Sequence, residues 1–306
     1  MKFLITGALG HIGSAVIRTL GDTFKDSSIV MVDNLSTQRY PSLFNVPHNA
    51  SYQFIEVRVQ DVAWDELLKD VDVVIHLAAT TDASGTAHNP EAVYANNYSA
   101  TEVVARACLK HKIPLIFPST TSVYGSQAEL VDELCTDLYP QSPYAACKIK
   151  EEQLLKNLAL VGLEVAICRL GTIYGTSIGM RFHTAVNKFC WQAVMKQPLT
   201  VWETALDQKR PYLALEDAVA AFIWIIQNRL YSGQTYNVVT GNHTVRDVLN
   251  SIKKSVPDID VQYVQHAIMN QLSYEVCSNK FKATGFIYSG GLERGVAETI
   301  QLLRGY

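Results

Sequence analysis

Near-continuous apolar runs alternate with stretches of helical period over residues 1 to about 175. FLIT (3–6), SIVMVD (28–33), YQFIEV (52–57), DVVIHLA (72–78), PLIFPST (114–120) and EVAICRL (164–170) are the apolar runs. They lack the strict alternation of a strand with one wet face, which predicts parallel strands covered on both sides. Between them, IGSAVIRTLG (12–21) and NPEAVYANNYSATEVVARACLKH (89–111) space their apolar residues as amphipathic helices do. Strand–helix alternation of this kind predicts an α/β protein built on a doubly wound parallel sheet.

The pattern loosens after residue 176. TAVNKFCWQAVMK (184–196) predicts a helix, PLTVW and RPYLAL short strands, and EDAVAAFIWIIQN (216–228) another helix. A strand at QTYNVV and a helix opening at Thr244 follow. The expectation is a sheet domain over 1–175 and a smaller lobe over 176–306 packed on the sheet's carboxyl edge. No proline- or glycine-rich linker separates them, so they are expected to interleave.

Composition narrows the function classes. Of 306 residues, 48% are hydrophobic and 18% charged, with a formal net charge of -3, which suits a soluble protein with a sizeable core. A mildly acidic balance offers nucleic acid or a membrane surface no electrostatic attraction, so neither is expected as a partner. No apolar run approaches the roughly 20 residues that span a bilayer, and MKFLITGALG reads as a first strand, not a signal peptide. Cys108, Cys135, Cys147, Cys168, Cys190 and Cys277 are scattered, with no CxxC pair and no metal-ligand spacing. They read as buried thiols of a cytoplasmic protein.

Candidate chemistry begins at TGALGHIG, which joins the first strand to the first helix. Gly7 permits a tight turn, Gly10 lets backbone approach a pyrophosphate, and Gly13 lets the helix lie close to the sheet. The helix amino end then offers unpaired N–H groups and a positive dipole to the phosphates. Asp33 closes the second strand about 20 residues on, as the dinucleotide pattern requires. A carboxylate there bonds the adenosine ribose hydroxyls and repels a 2′-phosphate, which favours NAD over NADP, with Arg39 nearby as a tempering charge.

SPYAACK (142–148) puts Tyr144 and Lys148 one helical turn apart, behind an N-capping Ser142 and a first-turn Pro143. A free tyrosine titrates near 10. A neighbouring ammonium stabilises the phenolate, so the pair can act as an acid–base couple. GxxGxxG together with YAACK resembles the extended short-chain dehydrogenase/reductases, in particular their NAD-dependent nucleotide-sugar epimerases and dehydratases. DNLS (33–36), HLAA (76–79), Asn97 in NNYSAT, STTSVYG (119–125), RLGTIYG (169–175), RPYLALEDAVAA (210–221) and YNVVTGNHTVRDVL extend the resemblance over nearly the whole chain.

The resemblance implies a set of roles. His11, Ile12, Asn34, Ser36, Leu77, Ala78 and Ala79 join the glycines and Asp33 around NAD, and DV (Asp61, Val62) matches the adenine-contacting pair. Lys148 also holds the nicotinamide ribose, and Thr120 stands where the family has its catalytic hydroxyl, with Ser119 and Thr121 as fallbacks. Thr81, Thr120, Thr172, Arg181, His183, Asn187 and Arg210 fall on the nucleotide-sugar side, Arg210 matching an arginine on the diphosphate. Thr172 replaces an asparagine and Pro211 an aspartate of many relatives, which hints at an unusual sugar. Trp191 and Trp202 are open between the base pocket and the core. His76 reads as a hydrogen-bonded core residue, and His11 as a substitute for an aromatic ring.

Family dehydratases carry an aspartate–glutamate pair after the threonine, where this chain has Thr121 and Ser122. The expected activity is therefore hydride transfer at C4 of a nucleoside-diphosphate sugar, foremost a 4-epimerase. A 4-dehydrogenase or 4-ketoreductase uses the same three residues, a 4,6-dehydratase fits less well, and an NAD-binding sensor is the non-enzymatic alternative. The resemblance also implies a homodimer through helices 89–111 and 144–160.

Overall fold

The computed structural model describes residues 1–81, 90–127, 130–265 and 273–305. Six strands open the chain: β1 (Lys2–Thr6), β2 (Ser28–Asp33), β3 (Ser51–Glu56), β4 (Val73–His76), β5 (Leu115–Thr120) and the short β6 (Leu130–Val131). β7 (Val165–Leu170), β8 (Thr172–Tyr174), β9 (Leu199–Trp202), β10 (Arg210–Ala214), β11 (Ser232–Val238), β12 (Gly241–His243), β13 (Val261–Val264) and β14 (Glu275–Val276) follow. The helices are α1 (His11–Thr23), the single turn α2 (Trp64–Leu67), α3 (Pro90–His111), α4 (Pro143–Ala159), α5 (Ala185–Val194), α6 (Leu215–Asn228), α7 (Val245–Ser255), the short α8 (Asn279–Lys282) and α9 (Leu292–Arg304). The first residue of the helix predicted over 89–111 lies outside the described residues.

Seven strands pair in parallel in the order β11-β7-β5-β4-β1-β2-β3. Successive side chains of a strand point to opposite faces, and here both faces are dry. Phe3, Ile5, Met31 and Cys168 pack with Val16, Ile17 and Leu20 of α1 and Phe222 and Ile225 of α6. Leu4, Val30, Val32 and Ile167 pack with Val104 and Cys108 of α3 and Leu155 and Leu158 of α4 on the other side. The result is the helix–sheet–helix sandwich that the apolar runs predict.

Two strands depart from expectation. β3 alternates exposed and half-buried positions because it is an edge strand. The strand at QTYNVV does not stay in the smaller lobe: β11 pairs with β7, Tyr236 beside Cys168, and closes the opposite edge of the main sheet. Its apolar Tyr236 and Val238 complete the face that α6 covers. Period-two patterning identifies a strand but says nothing of its neighbour. The remaining lobe is built from β9, β10, α5, α7 and α9, with Phe189, Leu199, Tyr212, Val248, Ile252, Val296 and Ile300 at its centre. Helix α9 was not predicted, although Leu292, Val296 and Ile300 recur every fourth residue. β8 directly follows β7 and pairs with β10, Thr172 against Tyr212, so the lobe grows from the sheet's carboxyl edge.

Among the described residues no helix is long and apolar enough to cross a membrane. Cys108, Cys147, Cys168 and Cys190 are buried, whereas Cys135 and Cys277 are half-buried.

Candidate active site

One cleft of about 1480 Å³ runs along the carboxyl edge of the sheet, between the sheet and the smaller lobe. A typical small-molecule site holds roughly 300–1,000 Å³, so this one has room for two nucleotides.

Its floor is the turn after β1. Gly7 has φ +65°, and a Cβ there would sit 2.6 Å from the Ala78 nitrogen. A Cβ on Gly13 would sit 2.4 Å from the Gly7 carbonyl oxygen, which lets α1 start tight against the turn. Gly10 caps α1 with no side chain in the way. The first N–H groups therefore face the cleft, a cradle for a pyrophosphate. The Asp33 carboxylate accepts from Leu9 N (3.1 Å) and Leu35 N (2.9 Å), which holds it at the end of β2 beside that turn. Asn34 accepts from Ser36 N at 3.0 Å and shapes the adjoining wall. Arg39 does not reach across Asp33 toward a ribose phosphate. Its guanidinium donates to the carbonyls of Gly179 and, at 2.6 Å, Met180. The donor set and the close backbone fit a dinucleotide without a 2′-phosphate.

His11 lines this half too. The Ser177 hydroxyl donates to the His11 carbonyl (2.9 Å), so the His11 Nδ1–H is the donor in its 2.7 Å contact with Ser177 Oγ. Burial, then the charges of Arg181, Arg39 and His183, lower its pKa to about 4. The ring is a neutral strut between the glycine turn and the 175–181 loop. Ile12, Leu77, Ala78 and Ala79 line the cleft as predicted.

Two residues expected beside the adenine stand away from the cleft wall. Asp61 and Val62 do not line the cleft; Val57, Val59 and Gln60 do. A single 3-10 turn, Val59–Asp61, swings Asp61 to the exposed side, and Val62 packs into the core beneath.

At the other end, Ser142 caps α4 by accepting from Ala145 N at 3.1 Å, with Pro143 in the first turn. Tyr144 and Lys148 then project from one face into the cleft. The Lys148 ammonium is buried, 4.2 Å from the centre of the Phe117 ring and 5.9 Å from that of Tyr144. Burial raises the Tyr144 pKa, Lys148 pulls it back, Glu151 raises it again and Arg181 lowers it. Burial lowers Lys148, but the Glu151 and Tyr144 oxygens outweigh that and hold the amine above its ordinary value.

The choice among three hydroxyls follows from their partners. Ser119 donates to Glu152 at 2.6 Å, inside a buried pair with Arg169. Thr121 is buried and donates to the Leu170 carbonyl at 3.3 Å. Thr120 lines the cleft, accepts from Ser122 N and lies 2.9 Å from Ser122 Oγ. Ser119 lines the cleft as well, but of the three hydroxyls only that of Thr120 is not donated to a buried carboxylate or carbonyl.

On the substrate side Thr81, Thr172, Arg181, His183 and Arg210 all line the cleft, and Arg181 donates to Thr81 Oγ1. Asn187 does not. It is fully buried, accepts from Gly175 N (3.1 Å) and donates to the Gly175 carbonyl (3.2 Å), bracing the loop that carries Arg181. Trp202 lines the cleft, whereas Trp191 packs on Phe182 with ring centres 6.2 Å apart. His76 is buried, its Nδ1 2.7 Å from Thr6 Oγ1, and Asn97 clasps the backbone of Thr80. Lys188 and Tyr274 also line the cleft and were not predicted. Lys188 sits one turn beyond Thr184, a spacing signal; Tyr274 arrives from a distant loop that carries none.

The NAD dependent epimerase/dehydratase family matches residues 3–239. The chain belongs to it. NAD is that family's cofactor, and the glycine cradle with Asp33 is where this chain would hold it. An uncharacterized UDP-glucose epimerase of Bacillus subtilis is 30% identical over 245 residues, covering 78% of this chain and 76% of its own. A trifunctional UDP-glucose 4,6-dehydratase, 3,5-epimerase and reductase of Arabidopsis thaliana is 29% identical over 98% of this chain. The chain spans only 47% of that protein's length. Among solved structures, the UDP-glucose 4-epimerase of Thermus thermophilus, complexed with NAD, is 25% identical with a TM-score of 0.86, over 100% of this chain and 99% of the other.

Proposed function

We propose that this protein is an NAD-dependent nucleotide-sugar 4-epimerase. The observation that carries the reading is the charge of the cleft wall. Asp33, held by backbone amides at the cofactor end, is the only acidic side chain among the described residues that line it. Eliminating water from a sugar needs an acid beside the leaving hydroxyl, whereas epimerisation at C4 needs one base that gives its proton back.

Bound in the glycine cradle, NAD would supply the hydride acceptor and donor. This chain's residues do the rest. Tyr144, as phenolate, takes the C4 hydroxyl proton and later returns it. Lys148 stabilises that phenolate, and the Thr120 hydroxyl orients the sugar oxygen. Arg210, with Arg181, His183 and Lys188 on the same wall, suits the diphosphate of the substrate. The proposed partner is therefore a nucleoside-diphosphate sugar. A homodimer through α3 and α4 is part of the proposal. On the outer faces of these helices Tyr94 stacks on Tyr98 at 4.9 Å, and Lys150 lies 4.4 Å from the Tyr94 ring centre. The buried free thiols suit a cytoplasmic setting.

The test is incubation with a panel of nucleoside-diphosphate sugars, followed by proton NMR and reduced-nicotinamide absorbance. Conversion of an axial to an equatorial C4 signal without net NADH is expected. Net NADH, or turnover only with added NAD, makes the protein a 4-dehydrogenase. Silence on every sugar with NAD retained makes it a sensor.

A further inference from the structure

Directly behind Lys148 lies a second carboxylate that the reaction above does not use. Glu151 is one turn further along α4, fully buried, with an oxygen 3.3 Å from the Lys148 ammonium. Its other oxygen accepts from Thr101 on α3 at 2.5 Å. The single proton of that hydroxyl is thereby committed, so in the 3.3 Å contact between Thr101 Oγ1 and His76 Nε2 the ring must donate. His76 then carries its proton on Nε2, and Nδ1 accepts from Thr6 at 2.7 Å. Thr6 Oγ1 in turn accepts from Ala78 N at 3.3 Å. These four bonds, from Ala78 N to Glu151, all run in one direction. Burial, then Lys148, lowers the His76 pKa to about 3, so the ring stays neutral and the only charges in the chain are those of Glu151 and Lys148.

We propose that Glu151 is a positioning residue that clamps the Lys148 ammonium and divides its charge between itself and the Tyr144 phenol. A buried carboxylate is costly to desolvate on its own and persists because it is paired and hydrogen-bonded. Thr101 and α3 keep it from swinging up to Tyr144. The groups that face the Tyr144–Lys148 couple are Glu151 and Cys147 on α4, Arg181 from the substrate loop and His76 at the end of β4. Of these, Glu151 is the carboxylate. With it in place the field of the ammonium at Tyr144 is partly cancelled and the phenol is harder to ionise. Thr6 borders the glycine turn, so the same bonded chain ties the catalytic lysine to the cofactor cradle.

The proposal rests on Tyr144 and Lys148 being the reactive pair, but its test needs no substrate. The tyrosinate ultraviolet band of the full-length, NAD-loaded protein is titrated with pH, using Y144F as the blank, in wild type, E151Q and E151D. In E151Q the Tyr144 midpoint falls by at least about half a pH unit. In E151D, which draws the charge back from the amine but keeps it, the midpoint falls by less. If E151Q does not accumulate, E151D alone decides. Midpoints that coincide with wild type, or that rise, overturn the proposal. Where turnover is found, both limbs of its pH profile move down in the same order. A protein that turns over no sugar yet shows the phenol shift refutes the epimerase reading and leaves this one standing.

Discussion

Replacing Glu152 by alanine should destabilise the protein more than any surface change. Glu152 and Arg169 have 3% and 4% of their side-chain surface exposed. The carboxylate accepts two parallel bonds from the guanidinium, 2.9 and 2.7 Å, and a third from Ser119 at 2.6 Å. Arg169 also lies 4.8 Å from the centre of the Tyr124 ring. The cluster joins α4 to β7 and to the last turn of β5, next to Thr120. Removing one member of a buried pair leaves the other charge uncompensated, at a cost of about 3–5 kcal/mol. Against a total stability of roughly 5–15 kcal/mol that is a large share. At about 2–4 °C per kcal/mol for a chain of this general size, the unfolding midpoint should fall by at least ~6 °C. The assay is a thermal melt beside a urea titration, with an unchanged urea slope showing that the same transition is being followed. E152A/R169A should lose less than the two single variants added together, because the second deletion removes the stranded charge. A melt within ~2 °C of wild type, or strict additivity in the double variant, would refute the argument that the pair is buried and coupled.

Gly13→Ala should abolish NAD retention, since its Cβ would meet backbone oxygens of Gly7 at 2.4 Å and Ala8 at 2.6 Å; cofactor released on denaturation measures this, and near-stoichiometric NAD would refute it. Tyr144→Phe should keep fold and cofactor but lower kcat by about 10²-fold or more in the sugar assay. Acid should unfold the protein through His11 and His76, whose pKa values of about 4 and about 3 lie below the ordinary 6.5. Below pH 6.5 the unfolded chain binds protons that the folded one refuses, so each ring contributes stability above that pH. The contribution is lost as pH falls toward 4 and 3, at up to about 1.4 kcal/mol per unit and per ring. Urea midpoints measured from pH 7 to 4.5 check this, and H76Q should flatten the slope.

Local signals were legible in the sequence because they depend on neighbours within one turn. The glycine spacing, the aspartate at the end of β2, and the Ser142–Pro143 start that brings Tyr144 and Lys148 to one face all stand where the sequence reading puts them. The capping box at Thr244, with Asp247 returning a bond to the cap nitrogen, is equally local. So are the apolar runs of β1, β2, β4, β5 and β7, whose burial on both faces needs only composition to announce it. What tertiary structure alone decided depends on partners far along the chain. β11 is a strand in either reading, yet only pairing with β7, more than sixty residues earlier, assigns it to the main sheet. Thr120 is set apart from Ser119 and Thr121 because Glu152 and Leu170 occupy its neighbours. Asn187 has the right composition for a ligand but spends its amide on Gly175, and Asp61 is turned outward by one 3-10 turn. Glu151 has no local reason to be more than a helix-surface acid. It becomes part of the site because α3 packs on α4 and brings Thr101 against it, with His76 of β4 bonded to Thr101 in turn, and a hydrogen bond across fifty residues leaves no period in a sequence.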